Sequence, residues 1–479
     1  MTQLSNSVRY SFGIGQMAEG IKNSSFGAFL LFYYNQVLGL SAELAGLAIA
    51  LSLIFDAITD PMAGTISDRW QGPRGRRHPF MYASALPLAI TFFCLFAPPD
   101  AVSQGNQIWL FVWMLLFTVL NRGSMTLYHV PHLALGAELS SDYDERTTLV
   151  AIRQFMSASG HLLVYGLGFG LFFAPTEVFE NGQLNAEAYP PFALTLAVIM
   201  FITIWWSAWG TRSAIPNLPG PSGELKNVSI KQLMLDNLEA MKSRSFLWLM
   251  SGYTIIIVVF GVGSASALYM FTFFWELSRF QMLLVLLTGP AGSLLGYMAA
   301  TFLFAKLDKR NAMLTGGVLW MLFHALPVTL YGLGLVPPDG TWALTALLAI
   351  NYTLLGASIA QLIVGASSTM ADIADESDLL TGSRQEGVLF GAASFAGKCT
   401  SALGSLIAGA VLSWLEWPTG EGVKTAADIP PDTLLNMALV FGPGVALLAI
   451  PGFFCLRGYK LTRARTAEIQ QQLAARATA

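Results

Sequence analysis

Residues 44–66 read LAGLAIALSLIFDAITDPMAGTI, and this stretch decides the fold class. It is long enough to cross a bilayer, which takes about 20 mostly apolar residues in a helix. Yet Asp56 and Asp60 stand inside it, and no basic residue follows until Arg69. An ionisable side chain at bilayer depth costs about 2.5–3.5 kcal/mol or more, and such residues mark ion or substrate paths. The i,i+4 spacing puts both carboxylates on one face of a helix. The segment therefore predicts a membrane helix that carries a cation site, and coupled transport rather than soluble chemistry.

The rest of the chain agrees. Of its 479 residues, 54% are hydrophobic and only 11% are charged, where a soluble domain carries roughly 25% charged residues. Twelve stretches are candidate spans: 11–36, 42–66, 80–98, 106–133, 149–174, 190–211, 246–275, 281–304, 312–335, 342–371, 386–415 and 433–456. Glu19, Lys22 and Asn23 interrupt the first. The predicted fold is all-α integral membrane, twelve transmembrane helices in two six-helix halves. The N-terminal half is 1–211, the central loop 212–245, the C-terminal half 246–456 and the tail 457–479. Pro216, Pro219, Gly220 and Pro221 mark the loop as linker, and 228–241 has the pattern of a short amphipathic surface helix. Met1–Tyr10 is polar and short, and the first apolar stretch exceeds a signal-peptide core, so no cleavable signal is expected. Cys94, Cys399 and Cys455 have neither metal nor disulfide spacing and read as packing residues.

Charge placement sets an expected orientation. Of 26 Lys and Arg, 20 fall on one side of this topology and two, Arg279 and Lys424, on the other. The positive-inside rule then puts both termini in the cytoplasm of a multi-pass plasma (inner) membrane protein. The same side repeats a motif. Asp68-Arg69 and Arg76-Arg77 follow the second span, and Asp308-Lys309-Arg310 follow the eighth. A six-helix repeat predicts such an echo.

Gly64-xxx-Asp68-Arg69 with Gly75-Arg76-Arg77 resembles the loop signature of the major facilitator superfamily. Asp56-Ala57-Ile58-Thr59-Asp60-Pro61, followed by Gly75-Arg76-Arg77-His78-Pro79, narrows the resemblance to its glycoside–pentoside–hexuronide:cation symporters, the melibiose permease-like family. Tyr33-Tyr34, Val37-Leu38-Gly39-Leu40-Ser41, Tyr143-Asp144-Glu145-Arg146-Thr147, Ala371-Asp372-Ile373-Ala374-Asp375, Arg384-Gln385-Glu386-Gly387 and Lys398 extend it over both halves. The resemblance implies the major facilitator fold and a coupling cation, Na⁺ or H⁺, with no cofactor. It implies a cation site at Asp56 and Asp60, a lysine at the cation and sugar sites (Lys398) and an assisting hydroxyl (Thr126). A hard cation such as Na⁺ suits these oxygen ligands. Two close carboxylates resist joint ionisation without a cation or proton between them. Thr59 stands where the family has an asparagine, a position that influences which cation is used, so Na⁺ and H⁺ both remain open.

The substrate side departs from the family. His129 replaces an acid of the fourth span, and Leu133 and Ile363 replace aromatic residues. Glu19 and Arg153 are the counterparts of its helix-1 acid and helix-5 arginine. Arg122 and His129 lie two turns apart on one helix face, and a membrane guanidinium prefers a carboxylate or phosphate partner. These residues, with Lys398, are the expected substrate contacts. The expected substrate is small, sugar-like and tilted toward an anion such as a hexuronide; alternatively Arg122 pairs with Glu19 or another internal acid. Asp68, Arg69, Arg76 and Arg77 are expected to latch the cytoplasmic side, with Asp142, Asp144, Glu145, Asp375, Glu376 and Asp378 as partners. The expected partners are thus substrate, cation and lipid bilayer, with no nucleic acid. A lysophospholipid symporter is the competing cargo. A transporter-like receptor lacks a further soluble domain here, and an enzyme is not expected, since no nucleophile–base set, metal spacing or phosphate loop occurs.

Overall fold

The computed structural model describes residues 4–70, 72–140, 143–218, 243–381, 386–420 and 422–478. Among them every regular element is a helix. The principal helices are α1 (Asn6–Ile14), α2 (Gln16–Ser24), α3 (Ala42–Arg69), α4 (His78–Phe96), α5 (Gln107–Leu139), α6 (Tyr143–Leu167), α7 (Tyr189–Gly210), α8 (Arg244–Tyr269), α9 (Arg279–Lys306), α10 (Lys309–Gly332), α11 (Trp342–Thr381), α12 (Glu386–Trp414), α13 (Pro431–Leu439), α14 (Ile450–Gly458) and α15 (Arg463–Thr478). Eleven helices among the described residues are long and apolar enough to cross a membrane, and each overlaps one of the expected spans from the second to the twelfth. The first expected span is helical too. It runs through α1, α2 and two wide-turn π segments, Ser25–Leu30 and Tyr33–Val37. It is less apolar than the other eleven because its buried face is polar: Gln16, Lys22, Ser24 and Ser25 are buried in protein. The expected surface helix at 228–241 lies outside the described residues.

α3 shows how the sequence chooses its faces. Leu47, Leu51, Ile54, Ile58, Met62 and Ile66 are exposed, and their three- and four-residue spacing forms one stripe. In a bilayer that stripe faces lipid. Ser52, Asp56, Ala63 and Ser67 are buried on the other side. The helix is inside-out relative to a soluble one, because water is absent and polar groups must find protein partners. α5 repeats this: Ile108, Val112, Leu116, Leu120 and Leu127 are exposed, while Thr118, Asn121, Arg122, Thr126 and His132 are buried.

Packing divides the chain into two compact units. The first is Met1–Glu224 with Ala265–Leu283 and Ser405–Leu434; the second is Leu225–Ser264, Leu284–Gly404 and Leu435–Ala479. Ends of α8, α9 and α12 thus belong to the first unit, across the chain-order boundary at 212–245. Inside that unit the end of the first span is tied down by side chains. Tyr269 donates to Asn35 Oδ1 at 2.8 Å, Trp417 Nε1 donates to Gln36 Oε1 at 2.8 Å, and the Gly420 amide donates to the Gln36 carbonyl at 3.2 Å. Gly39 and Gly420 both have positive φ, 74° and 87°, and their backbones meet; only glycine takes that conformation cheaply. In the adjoining loop Asp428 accepts from the backbone amides of Lys424 and Thr425. These bonds hold its carboxyl below the usual range.

In the second unit α10 packs along α11, and α15 packs on α11 as well. The tail helix buries Ile469. Gln470 donates to Asp375 Oδ2 at 3.2 Å and Arg463 to the Phe304 carbonyl at 2.8 Å.

One close approach positions the site. A Cβ at Gly20 would collide with the Ser157 carbonyl, and one at Gly160 with the Met17 carbonyl. α2 and α6 therefore touch backbone to backbone beside Glu19. Gly20→Ala is expected to destabilise the protein by about 1–3 kcal/mol through overpacking. Gly27→Ala, where a Cβ meets nothing within 4 Å, is the control and should leave thermal unfolding in detergent unchanged or slightly raised.

Candidate transport site

The two aspartates of α3 meet two residues of α5 that have the same spacing. Arg122 Nη1 donates to Asp56 Oδ2 at 2.6 Å, and Thr126 Oγ1 donates to Asp60 Oδ1 at 2.8 Å. Each pair is 66 residues apart in the chain, so the helices run parallel here and their turns match rung for rung. Both side chains of the upper pair are almost fully enclosed, at 1% and 3% exposure. Of the alternatives open for Arg122, this pair selects an internal acid, Asp56 rather than Glu19. Thr59 turns back to its own helix and donates to the Phe55 carbonyl at 3.0 Å.

A second cluster lies on α2, α5 and α6. Glu19 accepts from Gln16 Nε2 at 2.7 Å, from Asn23 Nδ2 at 2.7 Å and from Ser157 Oγ at 3.3 Å. Gln16 Nε2 also lies 3.3 Å from His129 Nε2. The carboxylate fixes the orientation of the Gln16 amide: its NH₂ must face Glu19, and its second N–H then donates to a bare ring nitrogen of His129. Gln16, Asn23 and Ser157 are not among the contacts expected from the sequence, although the 16/19/23 spacing on one helix face is a usable signal. Gln16 Oε1 and Arg153 Nε are buried and lack a hydrogen-bond partner among the described residues. Arg153 stands one turn from Ser157 on α6. A buried acceptor and a buried donor beside a carboxylate make a place where a polar ligand would satisfy them. Phe26 lies beside two cations: Lys22 Nζ and Arg122 Cζ are 5.5 and 5.7 Å from its ring centre, within cation–π range.

His132, stacked on Phe12 at 4.4 Å and bonded to the Phe12 carbonyl at 2.8 Å, is a packed ring. Lys398 is half-buried on α12 in the second unit.

The basic turns have partners inside their own units. Arg76 and Arg77 both reach Glu138 Oε1 at 2.8 Å, and Arg77 Nη1 donates to Ser67 Oγ at 2.8 Å. Glu138, near the end of α5, was not among the expected latch acids. In the second unit Lys309 Nζ bonds Asp372 Oδ2 at 2.7 Å and Oδ1 at 2.9 Å. The echo read in the sequence is thus an echo in structure. In each half the basic turn after the second span grips an acid near the end of the fourth. Of the other expected latch acids, Glu145 pairs with Arg9 at 2.7 Å and Glu376 accepts from Ser243 Oγ at 3.4 Å. The side chains of Asp68, Arg69, Asp144 and Arg146, and residues Asp142 and Arg384, lie outside the described residues.

This arrangement defines a membrane transporter: apolar helices outward, a charged polar seam inward, and two halves with matching turns. The family model described as MFS/sugar transport protein matches residues 11–463, and the chain belongs to that family. It is 24% identical over 474 residues to the "Putative glycoside/cation symporter YagG" of Escherichia coli (strain K12), covering 99% of this chain and 96% of that one. It is 23% identical over 453 residues to the "Glucuronide carrier protein homolog" of the same strain, covering 91% and 92%. The inward open structure of the xylose transporter XylE from E. coli superposes with a TM-score of 0.63 at 13% identity, over 98% of this chain. That likeness shows the fold.

Proposed function

We infer that this protein is a secondary active symporter that couples a cation to the movement of a sugar, glycoside or hexuronide. The observation that carries the reading is the buried ladder Asp56–Arg122 and Asp60–Thr126. A chain does not keep two carboxylates and a guanidinium at membrane depth for packing alone, since replacing a buried ion pair by apolar residues is often neutral or stabilising. Carboxylate and hydroxyl oxygens suit a hard monovalent cation, and the Glu19 cluster suits hydroxyl groups on a small polar solute. The solute is proposed to be sugar-like, and Arg153 beside the Glu19 cluster favours a carboxylate-bearing one; a relative named as a glucuronide carrier supports this. Alternating access would rock the two halves about the site. Arg-rich turns and tail on one side favour an inner-membrane orientation with both termini cytoplasmic.

The test is thermal stability of the purified full chain with neutral glycosides, hexuronides and lysophospholipids, each with Na⁺ or choline. A ligand at 100 times its dissociation constant adds about 2.7 kcal/mol. The expected result is a shift with a sugar or uronide that grows in Na⁺. A shift with lysophospholipid alone would move the cargo to lipid.

A further inference from the structure

α4 and α7 pack side by side in the first unit, and they run antiparallel. His78 Nε2, at the start of α4, lies 2.9 Å from Thr211 Oγ1, just past the end of α7. One turn further along, the Tyr82 ring meets Trp205 edge-on at 5.0 Å. Both helices turn an apolar stripe outward. On α7 it is Leu194, Val198, Ile202, Trp205 and Trp209; on α4 it is Leu86 and Ile90. The α7 stripe changes character along its length. It begins aliphatic and becomes aromatic. It ends at Arg212, which is exposed, with Cζ 4.6 Å from the centre of the Trp209 ring.

A second guanidinium reaches the same end from the turn before α4. Arg74 is exposed in that turn. A Cβ at Gly75 would come within 3.2 Å of Ile215 in the tight helical segment Arg212–Asn217, so the turn and that segment touch. Arg74 and Arg212 both lie within electrostatic reach of the Tyr82 hydroxyl. Glu138 neutralises Arg76 and Arg77. Among the described residues, no salt bridge reaches Arg74 or Arg212.

We propose that this seam is a specific site for an anionic phospholipid, with the phosphate between Arg74 and Arg212 and an acyl chain along α4 and α7. The order aliphatic, aromatic, cationic repeats the layers of one bilayer leaflet: acyl chains, interface and headgroups. A guanidinium resting on a ring keeps its N–H edge, and that edge fits a phosphate as a bidentate fork. Tyr82 adds a neutral hydroxyl at the same level. A zwitterionic lipid brings an ammonium group toward the two guanidinium groups; phosphatidylglycerol does not. The site therefore selects by charge, independently of the cation and solute being carried. Its bound lipid ties the basic turn to the segment after α7, beside the clamp on Glu138.

The experiment is native mass spectrometry of the purified full chain in dodecyl maltoside, titrated with dioleoyl phosphatidylglycerol or dioleoyl phosphatidylcholine. The first phosphatidylglycerol should bind about 10-fold more tightly than the first phosphatidylcholine. Arg74→Gln/Arg212→Gln should bring the two lipids to equal affinity. Should the double variant lose its fold, each single variant should still lose about 3-fold of the preference. Arg465→Gln, which removes an exposed arginine paired with Glu468 on the tail, should keep the wild-type preference. Soluble glycerol phosphate at the lipid concentration should not displace phosphatidylglycerol, because it lacks the acyl chains. Equal binding of both lipids by the wild type would mean unselective boundary lipid and would overturn the site. A preference that survives in Arg74→Gln/Arg212→Gln, or in both single variants, would place the anion elsewhere. Displacement by glycerol phosphate would replace the lipid with a free phosphate ester.

Discussion

Uptake by an Asp60→Asn variant is expected to lose all cation dependence while the protein stays folded. The reason is local. Thr126 Oγ1 donates to Asp60 Oδ1 at 2.8 Å, and an asparagine carbonyl accepts the same bond with nearly the same shape. What disappears is one negative charge, and with it the ligand a hard cation requires. Uptake in Na⁺ should fall to the level in choline, and the unfolding temperature in detergent should stay within a few degrees. Thr126→Val should lower Na⁺ affinity about 10-fold, the usual scale for one lost ligand contact of about 1.4 kcal/mol. Wild-type Na⁺ dependence in Asp60→Asn would remove Asp60 from the site.

Asp56→Asn is a different experiment. From the sequence the two aspartates look equivalent. Their partners make them unequal. Asp56 neutralises Arg122 at 2.6 Å in a fully enclosed position. Removing one member of such a pair costs about 3–5 kcal/mol, so Asp56→Asn should fold poorly by itself. Loss of transport in Asp56→Asn is therefore interpretable only beside the double variant with Arg122→Gln.

That contrast shows what a sequence carries here. Composition and run length gave the membrane class, because the bilayer fixes both the length and the chemistry of a span. The spacing of Asp56 and Asp60 gave a shared face, because one helix settles it. The echo between Arg76-Arg77 and Lys309 survives as two clamps, on Glu138 and Asp372. Partner choice did not follow. Arg122 could meet Glu19 or Asp56 depending on how three helices rotate about their axes, and no local pattern determines that rotation. Glu138 was missed for the same reason: it is one acid near a helix end until Arg76 and Arg77 fold onto it. The first span was the hardest to read, because its buried face is polar.

The second large effect is expected at Glu19. Its two oxygens accept from Gln16 and Asn23 at 2.7 Å each, and Ser157 adds a third donor. In Glu19→Gln one oxygen becomes an NH₂ that must face a donor, Gln16 or Asn23. One amide is then forced to turn or move, and Gln16 cannot turn freely, because its other N–H is committed to His129. The whole rung from His129 to Asn23 shifts. Substrate affinity should fall about 100-fold, equal to about 2.7 kcal/mol, through the lost charge-assisted bonds and the misplaced Gln16. Na⁺ binding, which depends on the other rungs, should persist at wild-type affinity in the absence of substrate. Glu19→Asp keeps the charge but draws it back by one methylene, so part of the substrate affinity should return. Binding of substrate by Glu19→Gln at wild-type strength, measured by calorimetry in Na⁺, would mean that the Glu19 cluster is a structural tie between α2 and α6, and that solute is held elsewhere.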